Sequence, residues 1–335
     1  MKVLVTGAAG FIGMHTIEKL LARGDDVVGI DNLSTYYDVS LKRARLERLS
    51  SKANFHFDLV DIVDHETTAD VLRKHKPQRI IHLAAQVGVR YSKQNPQSYI
   101  DTNLHGFAGI LEYCRQQAIE HLVYASSSSV YGGNTRLPFS EHDNVDHPVS
   151  LYAATKKANE LMAHTYSHLY RIPTTGLRFF TVYGPWGRPD MAPSLFAAAI
   201  LAGTPLNVFN HGKMLRDFTY IDDVVEAVIR VLDKPATASS DFDSNSPDPA
   251  TSTAPYRIFN VGNSTPIALM DFIATLEKVL GKDAKMNRLP MESGDVPATS
   301  ASTVALNDWV GFQPKTSIDD GIEQFIGWYR RFYDR

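Results

Sequence analysis

The chain has 335 residues, of which 44% are hydrophobic and 21% are charged, and its formal net charge at pH 7 is -3. This composition predicts a folded protein with one large domain or two domains of ordinary size. The chain lacks the basic excess typical of nucleic-acid binding, and the apolar run at 195–202 is too short to span a membrane, so we expect neither partner. Its single cysteine, Cys114, excludes an internal disulfide and favours the reducing cytoplasm.

The amino terminus predicts a strand, a glycine turn and a helix in succession. Residues 2–6 form a β-branched apolar run typical of a buried parallel strand, and an amphipathic helix pattern covers 11–23. Gly7, Gly10 and Gly13 lie between and at the start of these elements. Backbone N–H groups in such a turn receive the pyrophosphate of a dinucleotide.

The second predicted strand, over 27–30, ends at Asp31. A carboxylate here can accept hydrogen bonds from ribose hydroxyls and would repel a 2′-phosphate, which favours NAD over NADP. Lys42, Arg43 and Arg45 follow in a helix-like stretch, and we interpret this charge run as a solvated helix face.

Two further strands lead to the same edge of the predicted sheet. A third strand over 54–57 leads to Asp58 and Leu59, which we expect beside an adenine ring. A fourth strand over 79–83 opens into Ala84, Ala85 and Gln86, against which a cofactor could lie. Because ligands of open α/β sheets bind outside the carboxyl ends of strands, these segments predict one common site.

The next predicted elements add polar side chains to this site. A long helix over 99–117 contains Asn103, and a fifth strand over 120–125 runs directly into four serines at 126–129. Serines at this position can supply hydroxyl donors beside the predicted dinucleotide.

Tyr152 and Lys156 begin a further helix that extends to about residue 170. At this i, i+4 spacing the two side chains share a helix face, so a phenol and an ammonium group can reach the same small volume. A nearby cation stabilises a phenolate and lowers the phenol pKa. We therefore predict that Tyr152 and Lys156 form a proton-transfer pair.

The chain beyond residue 180 is less regular. A helix is predicted over 192–202, and residues 236–254, rich in Ser, Pro, Asp and Thr, predict a long exposed loop. Arg216 carries a guanidinium group that can bind a diphosphate in a forked geometry. His164 and His168 share a helix face without a third ligand or adjacent glutamate, so we predict no metal site.

These motifs together resemble those of the extended short-chain dehydrogenase/reductase family, in the branch that acts on nucleotide sugars. Within this branch, the stretches 31–45, 84–92 and 245–263 are most similar to UDP-glucuronate 4-epimerases of bacteria and plants. Thr181 occupies a position where other sugar epimerases often have asparagine. The matching motifs cover nearly the whole chain: glycines 7, 10 and 13, Asp31, Asp58, LAA at 83–85, SSSSVYG at 126–132, Tyr152 with Lys156, RFFTVYGP at 178–185, RDFTYIDD at 216–223, and the stretch 289–297.

The resemblance implies an α/β fold in which a Rossmann-type doubly wound parallel sheet is joined to a smaller α/β carboxyl-terminal substrate domain. Residues 1–180 would bind NAD tightly and carry the catalytic residues. Residues 181–335 would mainly bind the UDP-sugar, with segments near 217–235 and 256–262 returning to the first domain. The family also implies a homodimer formed through the helices near 99–117 and 152–170.

The resemblance further assigns roles to individual residues. Ser127, Tyr152 and Lys156 would be catalytic, with Ser127 hydrogen-bonded to O4 of the sugar. The cofactor-binding residues would be Gly7, Gly10, Phe11, Ile12, Gly13, Asp31, Asn32, Asp58, Leu59, Leu83, Ala84, Ala85, Gln86, Asn103, Ser126, Tyr152, Lys156 and Phe179. The substrate-binding residues would be Arg90, Ser127, Ser128, Ser129, Tyr152, Thr181, Arg188, Val208, Phe209, Arg216 and Asp295.

The implied reaction is C4 epimerisation of UDP-glucuronate to UDP-galacturonate through a transient 4-keto sugar. Decarboxylation of UDP-glucuronate and 4-epimerisation of UDP-glucose stay open, since the 4-keto uronate is a β-keto acid that can lose CO₂. A 4,6-dehydratase would need an Asp-Glu pair where this chain has Ser128 and Ser129. A regulator that binds NAD without turnover would be expected to lack Tyr152 or Lys156.

Overall fold

The protein is built around a central parallel sheet with helices packed against it. A computed structural model describes residues 1–292 and 294–333. In chain order the strands are β1 (Lys2–Thr6), β2 (Asp26–Asp31), β3 (Phe55–Leu59), β4 (Arg79–His82), β5 (His121–Ser127), β6 (Thr174–Phe179), β7 (Thr181–Tyr183), β8 (Leu206–Val208), β9 (Leu215–Arg216), β10 (Phe218–Tyr220), β11 (Tyr256–Val261), β12 (Ile267–Ala268) and β13 (Met286–Arg288).

Seven of these strands form the central sheet, in the order β11-β6-β5-β4-β1-β2-β3. Every neighbouring pair in it runs parallel. Strand order reverses beside β1, so the carboxyl ends of β1 and β4 flank a crevice of the kind that binds ligands. The predicted Rossmann-type α/β fold is confirmed.

The helices connect these strands and cover both faces of the sheet. Within the described ranges, no helix is both long enough and apolar enough to cross a membrane. The helices are α1 (Phe11–Ala22), α2 (Val39–Ser50), α3 (His65–His75), α4 (Tyr91–Gln94), α5 (Pro96–Tyr99), α6 (Phe107–Gln117), α7 (Leu151–Tyr170), α8 (Ala192–Ala202), α9 (Ile221–Asp233), α10 (Leu269–Leu280), α11 (Val304–Val310) and α12 (Ile318–Tyr333).

Side-chain alternation along β1 divides the interior into two cores. Val3 and Val5 belong to a core shared with α1 and α9, whereas Leu4 belongs to a core shared with α3, α6 and α7. Successive side chains of a strand point to opposite faces, so a continuous apolar run is buried on both. All three residues are fully buried, which explains why β1 carries only apolar side chains between Lys2 and Thr6.

The helix predicted over 99–117 is interrupted. A π-helical segment, Ile100–Gly106, separates α5 from α6. Within it, the Asn103 carbonyl accepts a hydrogen bond of 2.6 Å from the Asn159 side chain on α7. The π-helical segment thus places a backbone acceptor toward the neighbouring helix, which the helical period alone does not predict.

The chain beyond β6 does not form a simple second block. β8 pairs with β13, β9 with β12 and β7 with β10 in three two-stranded sheets, with α8, α10 and α12 packed together beside them. However, α9 packs against α1 and β5, and β11 pairs with β6 at the edge of the central sheet. Residues 234–255, which connect α9 to β11, contain neither helix nor strand.

Candidate functional site

A cavity of about 370 Å³ opens at the carboxyl ends of the central strands. Side chains from distant parts of the chain meet there, as expected for a ligand site in an open α/β sheet. The predicted site residues that line it are Gly7, Gly10, Phe11, Ile12, Gly13, Asp31, Asn32, Leu83, Ala84, Ala85, Gln86, Ser126, Ser127, Ser128, Ser129, Tyr152, Lys156, Phe179, Thr181 and Arg188.

The glycine turn between β1 and α1 is closely packed. Gly7 has a φ of +73°, and a Cβ atom there would lie 2.9 Å from the Ala84 amide nitrogen. A Cβ atom at Gly13 would overlap the Gly7 carbonyl oxygen. The Thr6 hydroxyl accepts hydrogen bonds of 3.1 Å and 3.0 Å from the N–H groups of Leu83 and Ala84. The turn therefore presents bare backbone to the cavity at the amino terminus of α1.

Asp31 is fixed in place at the end of β2. Its carboxylate accepts hydrogen bonds from the N–H groups of Ala9, at 3.0 Å, and Leu33, at 2.8 Å. Burial raises the Asp31 pKa, while the charge of Lys42 and these hydrogen bonds oppose the rise. A carboxylate can accept about four hydrogen bonds, so Asp31 retains capacity for hydroxyl groups in the cavity.

The charge run on α2 is not the solvated face that the sequence suggested. Arg43 is exposed, but Lys42 and Arg45 are buried. Lys42 lines the cavity, with its Nζ 4.8 Å from the centre of the Tyr37 ring. Arg45 donates to the carbonyl oxygens of Ala9, at 3.0 Å, and Trp186, at 2.6 Å. These carbonyl partners satisfy its guanidinium inside the protein.

Asp58 and Leu59 do not line the cavity. β3 remains paired with β2 as far as Leu59, so both residues lie inside the strand rather than after it. The Asp58 carboxylate is paired with His75 at 3.0 Å and Lys74 at 3.6 Å, and Leu59 is 64% exposed. The cavity wall is formed instead by the next three residues, Val60, Asp61 and Ile62.

Asn103 lies behind the cavity wall and holds a residue that lines it. Its side chain accepts from the Gln86 N–H at 2.8 Å and donates to the Gln86 carbonyl at 3.0 Å. The same amide donates to the Thr155 hydroxyl on α7 at 3.1 Å. Asn103 therefore fixes the segment after β4 against the helix that carries Tyr152, and it is not itself among the residues that line the cavity.

Ser127, Tyr152 and Lys156 all line the cavity. The Ser127 hydroxyl accepts a hydrogen bond of 3.2 Å from the Ser129 N–H. Lys156 is buried, and its Nζ donates to the Ala125 carbonyl at 3.0 Å. The amino terminus of α7 that carries Tyr152 is capped by Ser150, whose hydroxyl accepts from the Ala153 N–H at 3.1 Å.

The protonation of this group is governed mainly by burial. Burial raises the pKa of Tyr152, although the Ser127 hydrogen bond and the positive charge of Arg188 lower it. Burial also lowers the pKa of Lys156 to about 8. A net lowering of the Tyr152 pKa by Lys156 is expected from the sequence, but burial is the larger effect and the Tyr152 pKa is raised.

Replacing Lys156 with Met should change how stability depends on pH. Since the Lys156 pKa is about 8 when folded and about 10.5 when unfolded, the unfolded state binds more protons between these values. Wild-type stability therefore rises with pH in this window, and we expect a gain of about 2 kcal/mol relative to Lys156→Met between about pH 8 and pH 10. Urea unfolding at matched NAD content measures it, and a difference independent of pH would contradict the shifted pKa.

The serine segment is braced from behind by a buried ion pair. The Ser126 hydroxyl donates to Glu160 at 2.6 Å, so it points into the protein while the residue's surface lines the cavity. Glu160 in turn accepts from Arg178 at 2.8 Å. Ser128 and Ser129 follow in a 3₁₀ turn and line the cavity together with Thr181. Three neutral hydroxyl groups therefore lie along one wall.

Four of the predicted substrate-binding residues form a separate cluster. The Arg90 guanidinium lies 4.3 Å from the Phe209 ring centre and 3.2 Å from the Asp295 carboxylate. The Asp295 charge also raises the pKa of Arg216, although burial lowers it more. These four residues lie outside the cavity lining, and Arg90 follows directly after a cavity residue. The Val208 side chain is fully buried.

Sequence reasoning missed part of the cavity wall. The missed side chains include Ser34, Tyr36 and Tyr37 after β2, and Met191 before α8. They lie in irregular segments, where no period marks a residue as facing a site. For the three residues after β2, the signal was the resemblance of the whole stretch 31–45 to the 4-epimerases, and Met191 had no such signal.

Histidines do not form a metal site in the described parts of the chain. No group of three or more His, Cys, Asp or Glu side chains is placed to hold a metal ion there. His164 Nε2 is instead within hydrogen-bonding distance, 2.9 Å, of the Ser252 hydroxyl, and its ring stacks on that of His168.

The chain is similar over its full length to several known proteins. Residues 3–262 match the family described as the NAD dependent epimerase/dehydratase family. Protein CapI of Staphylococcus aureus is 52% identical, with 100% of both chains covered. A probable UDP-glucuronate 4-epimerase of Rhizobium meliloti (strain 1021) is 47% identical, covering 100% of this chain and 98% of the other. A crystal structure of UDP-glucuronic acid 4-epimerase from Bacillus cereus, in complex with UDP-glucuronic acid and NAD, has a TM-score of 0.88 at 32% identity and covers 99% of this chain and 100% of that one.

Proposed function

The chain belongs to the NAD dependent epimerase/dehydratase family, and from this we propose that it catalyses the NAD-dependent C4 epimerisation of UDP-glucuronate to UDP-galacturonate. Full-length similarity to UDP-glucuronate 4-epimerases supports the assignment. The observation that carries it is the meeting of Ser127, Tyr152 and Lys156 in a cavity that the glycine turn and Asp31 also line.

The cavity wall has the chemistry that NAD requires. Gly7, Gly10 and Gly13 leave the backbone bare where a pyrophosphate would approach, and Asp31 offers carboxylate oxygens to ribose hydroxyls. Asp61 takes the place of Asp58 as the candidate for the adenosine end. NAD, when bound, supplies the group that accepts a hydride from the sugar and later returns it.

Tyr152 is the proposed proton carrier. As a phenolate it would take the proton of the 4-hydroxyl while C4 loses a hydride, and it would return the proton when the 4-keto sugar is reduced on its other face. Ser127, which lines the same cavity, would donate to O4 and orient it. The Lys156 ammonium favours the phenolate form. Because both the proton and the hydride return, the reaction has no net redox change.

The uronate carboxylate needs restraint during this cycle. Oxidation at C4 makes the sugar a β-keto acid, which loses CO₂ when the C5–C6 bond stands perpendicular to the carbonyl plane. Ser128, Ser129 and Thr181 line the cavity as neutral donors suited to holding a carboxylate away from that alignment. Arg188, whose guanidinium is paired with Asp190, also lines the cavity, where it could shift the balance between epimerisation and decarboxylation.

The UDP moiety would bind beyond the cavity. We assign the diphosphate to Arg216, whose guanidinium suits phosphate oxygens, and the remainder of the subsite to Arg90, Phe209 and Asp295. This division of roles corresponds to the proposed domains, with 1–180 holding NAD and 181–335 mainly holding the UDP-sugar.

Proton NMR of the purified protein with UDP-glucuronate and no added NAD tests the proposed reaction. We expect UDP-galacturonate without any pentose, because the enzyme carries its own NAD and restrains the carboxylate. UDP-pentose as the product would make the protein a decarboxylase. Turnover of UDP-glucose alone would make it a hexose epimerase, and no turnover even with added NAD would indicate a binding protein.

We further propose a homodimer formed through α7 and the helix pair around 96–117. Support comes from exposed apolar side chains on this surface, with Leu161 58% and Leu169 60% exposed and Ile100 at 38%. Light scattering should give twice the monomer mass for the wild type, and Leu161→Glu should shift it towards the monomer. Leu195→Glu, at a leucine 53% exposed on α8, is the matched control and should remain dimeric. A monomeric wild type would contradict the proposal.

The cysteine content and the reaction product indicate where the enzyme acts and which class of reaction follows it. We propose a cytoplasmic location, in keeping with the single free cysteine, Cys114, which is buried. UDP-galacturonate is an activated glycosyl donor, so a glycosyl transfer that builds polysaccharide would consume the product.

A further inference from the structure

Three distant segments of the chain meet at the Tyr36 hydroxyl. Tyr36 lies in the loop between β2 and α2, and its hydroxyl donates to Asp190 Oδ2 at 3.0 Å. Asp190 lies between β7 and α8. Gly88, after β4, approaches so closely that a Cβ atom there would overlap the Tyr36 hydroxyl.

These segments form different walls of the cavity. Ser34, Tyr36 and Lys42 line it from the segment after β2, whereas Arg188 and Met191 line it from the segment before α8. The hydrogen bond from Tyr36 to Asp190 therefore ties the two walls together. This hydrogen bond joins two parts of the chain that are 154 residues apart.

The Asp190 carboxylate, which accepts this hydrogen bond, is charged and held in a fixed orientation. Arg188 Nε donates to Asp190 Oδ1 at 3.0 Å and a second guanidinium nitrogen donates to Oδ2, so the carboxylate is held from the cavity side. Burial and the charge of Asp190 raise the pKa of Tyr36 to about 12, so its hydroxyl keeps its proton at physiological pH. The Tyr36 ring packs against Tyr91, with ring centres 4.8 Å apart.

The segment before α8 is also anchored at its other end. Arg45, fully buried on α2, donates to the Trp186 carbonyl at 2.6 Å and to the Ala9 carbonyl of the glycine turn. One end of the segment is thus fixed by a buried guanidinium. The end at Asp190 is held by a partly buried hydrogen bond, which can open more easily.

We propose that the hydrogen bond between Tyr36 and Asp190 is a latch that retains NAD in the protein between turnovers. The inference rests on the proposed function, because an epimerase returns the hydride that it removes and has no need to exchange NAD. NAD leaves when the segment before α8 separates from the loop after β2, and the latch slows that separation.

Tyr36→Phe tests the latch because it removes one oxygen and keeps the ring. Protein loaded with isotopically labelled NAD is freed of unbound label and chased with excess unlabelled NAD, without any UDP-sugar. Loss of a hydrogen bond to a charged acceptor should make NAD dissociate about tenfold faster. Tyr91→Phe is the control, since its ring is adjacent but its hydroxyl accepts from Asn95 at 3.1 Å, and it should release NAD at the wild-type rate.

Asp190, the acceptor of the hydrogen bond, provides a second variant. Asp190→Ala should also speed NAD release, and the double variant should release NAD no faster than the faster single variant, because both remove one contact. A wild-type rate in Tyr36→Phe, equal acceleration in Tyr91→Phe, or multiplied effects in the double variant would each overturn the latch. Because the exchange experiment contains no UDP-sugar, a wrong substrate assignment would change the NMR result but would not affect the measured rate of NAD release.

Discussion

Tyr152→Phe should lose about 10²- to 10⁴-fold in the rate of epimerisation while keeping its NAD. The substitution removes the phenol that would carry the proton of the 4-hydroxyl, and positioned acid–base groups contribute effects of this size. The ring itself would remain packed edge-on against Tyr99, with ring centres 6.1 Å apart. Proton NMR gives the rate, and release of NAD from denatured protein gives the cofactor content.

A second tyrosine on α7 provides the control. Tyr166 has its hydroxyl 3.5 Å from Glu112, on the far part of the helix, so Tyr166→Phe should turn over at the wild-type rate. Full activity in Tyr152→Phe would assign the proton transfer to another group. Loss of NAD together with activity would mean that Tyr152 mainly supports the cofactor site.

Gly13→Ala should give a less stable protein that is purified with little NAD. The new methyl group would overlap the Gly7 carbonyl oxygen, which belongs to the backbone of the glycine turn and cannot rotate away as a side chain would. Either α1 or the turn must move, and overpacking of this kind destabilises proteins by about 1–3 kcal/mol or more. Urea unfolding and the NAD content of the purified protein measure the two effects.

A glycine-to-alanine substitution outside the site should raise the stability of the protein rather than lower it. Gly327 lies within α12, and a Cβ atom there would meet only Arg331 Nη1 at 3.7 Å, an ordinary contact. Gly327→Ala should therefore stabilise the protein by up to about 1 kcal/mol through helix propensity. If Gly13→Ala kept its NAD and its stability, the turn would be adaptable and its close packing would not matter.

The strands and the position of the site could be predicted because both depend on local patterns. β1 is recognisable because four apolar or β-branched residues follow Lys2 without interruption. The glycine turn comes directly after them. Tyr152 and Lys156 lie one helical turn apart, so the helix alone brings them to one face. Strand ends in a parallel sheet share one edge, which is enough to gather these motifs into one cavity.

The corrections arise where long-range contacts decide the outcome. Asp58 was expected after the third strand, but pairing with β2 extends that strand to Leu59 and leaves Asp61 at the cavity. Burial of Arg45 depends on the Trp186 carbonyl, 141 residues later in the chain. A sequence period cannot show such partners, so a buried guanidinium on α2 looked like an ordinary surface charge.

The return of β11 to the central sheet limits how the protein can be divided or recombined. A fragment ending at residue 180 would leave the edge of β6 that faces β11 unpaired and uncover the face of α1 on which α9 packs. Unpaired edges and exposed apolar surface of this kind promote aggregation. Residues 181–335 therefore cannot be exchanged between relatives as a single block. A functional chimera needs several crossover points, placed so that α9 and β11 stay with the sheet they complete.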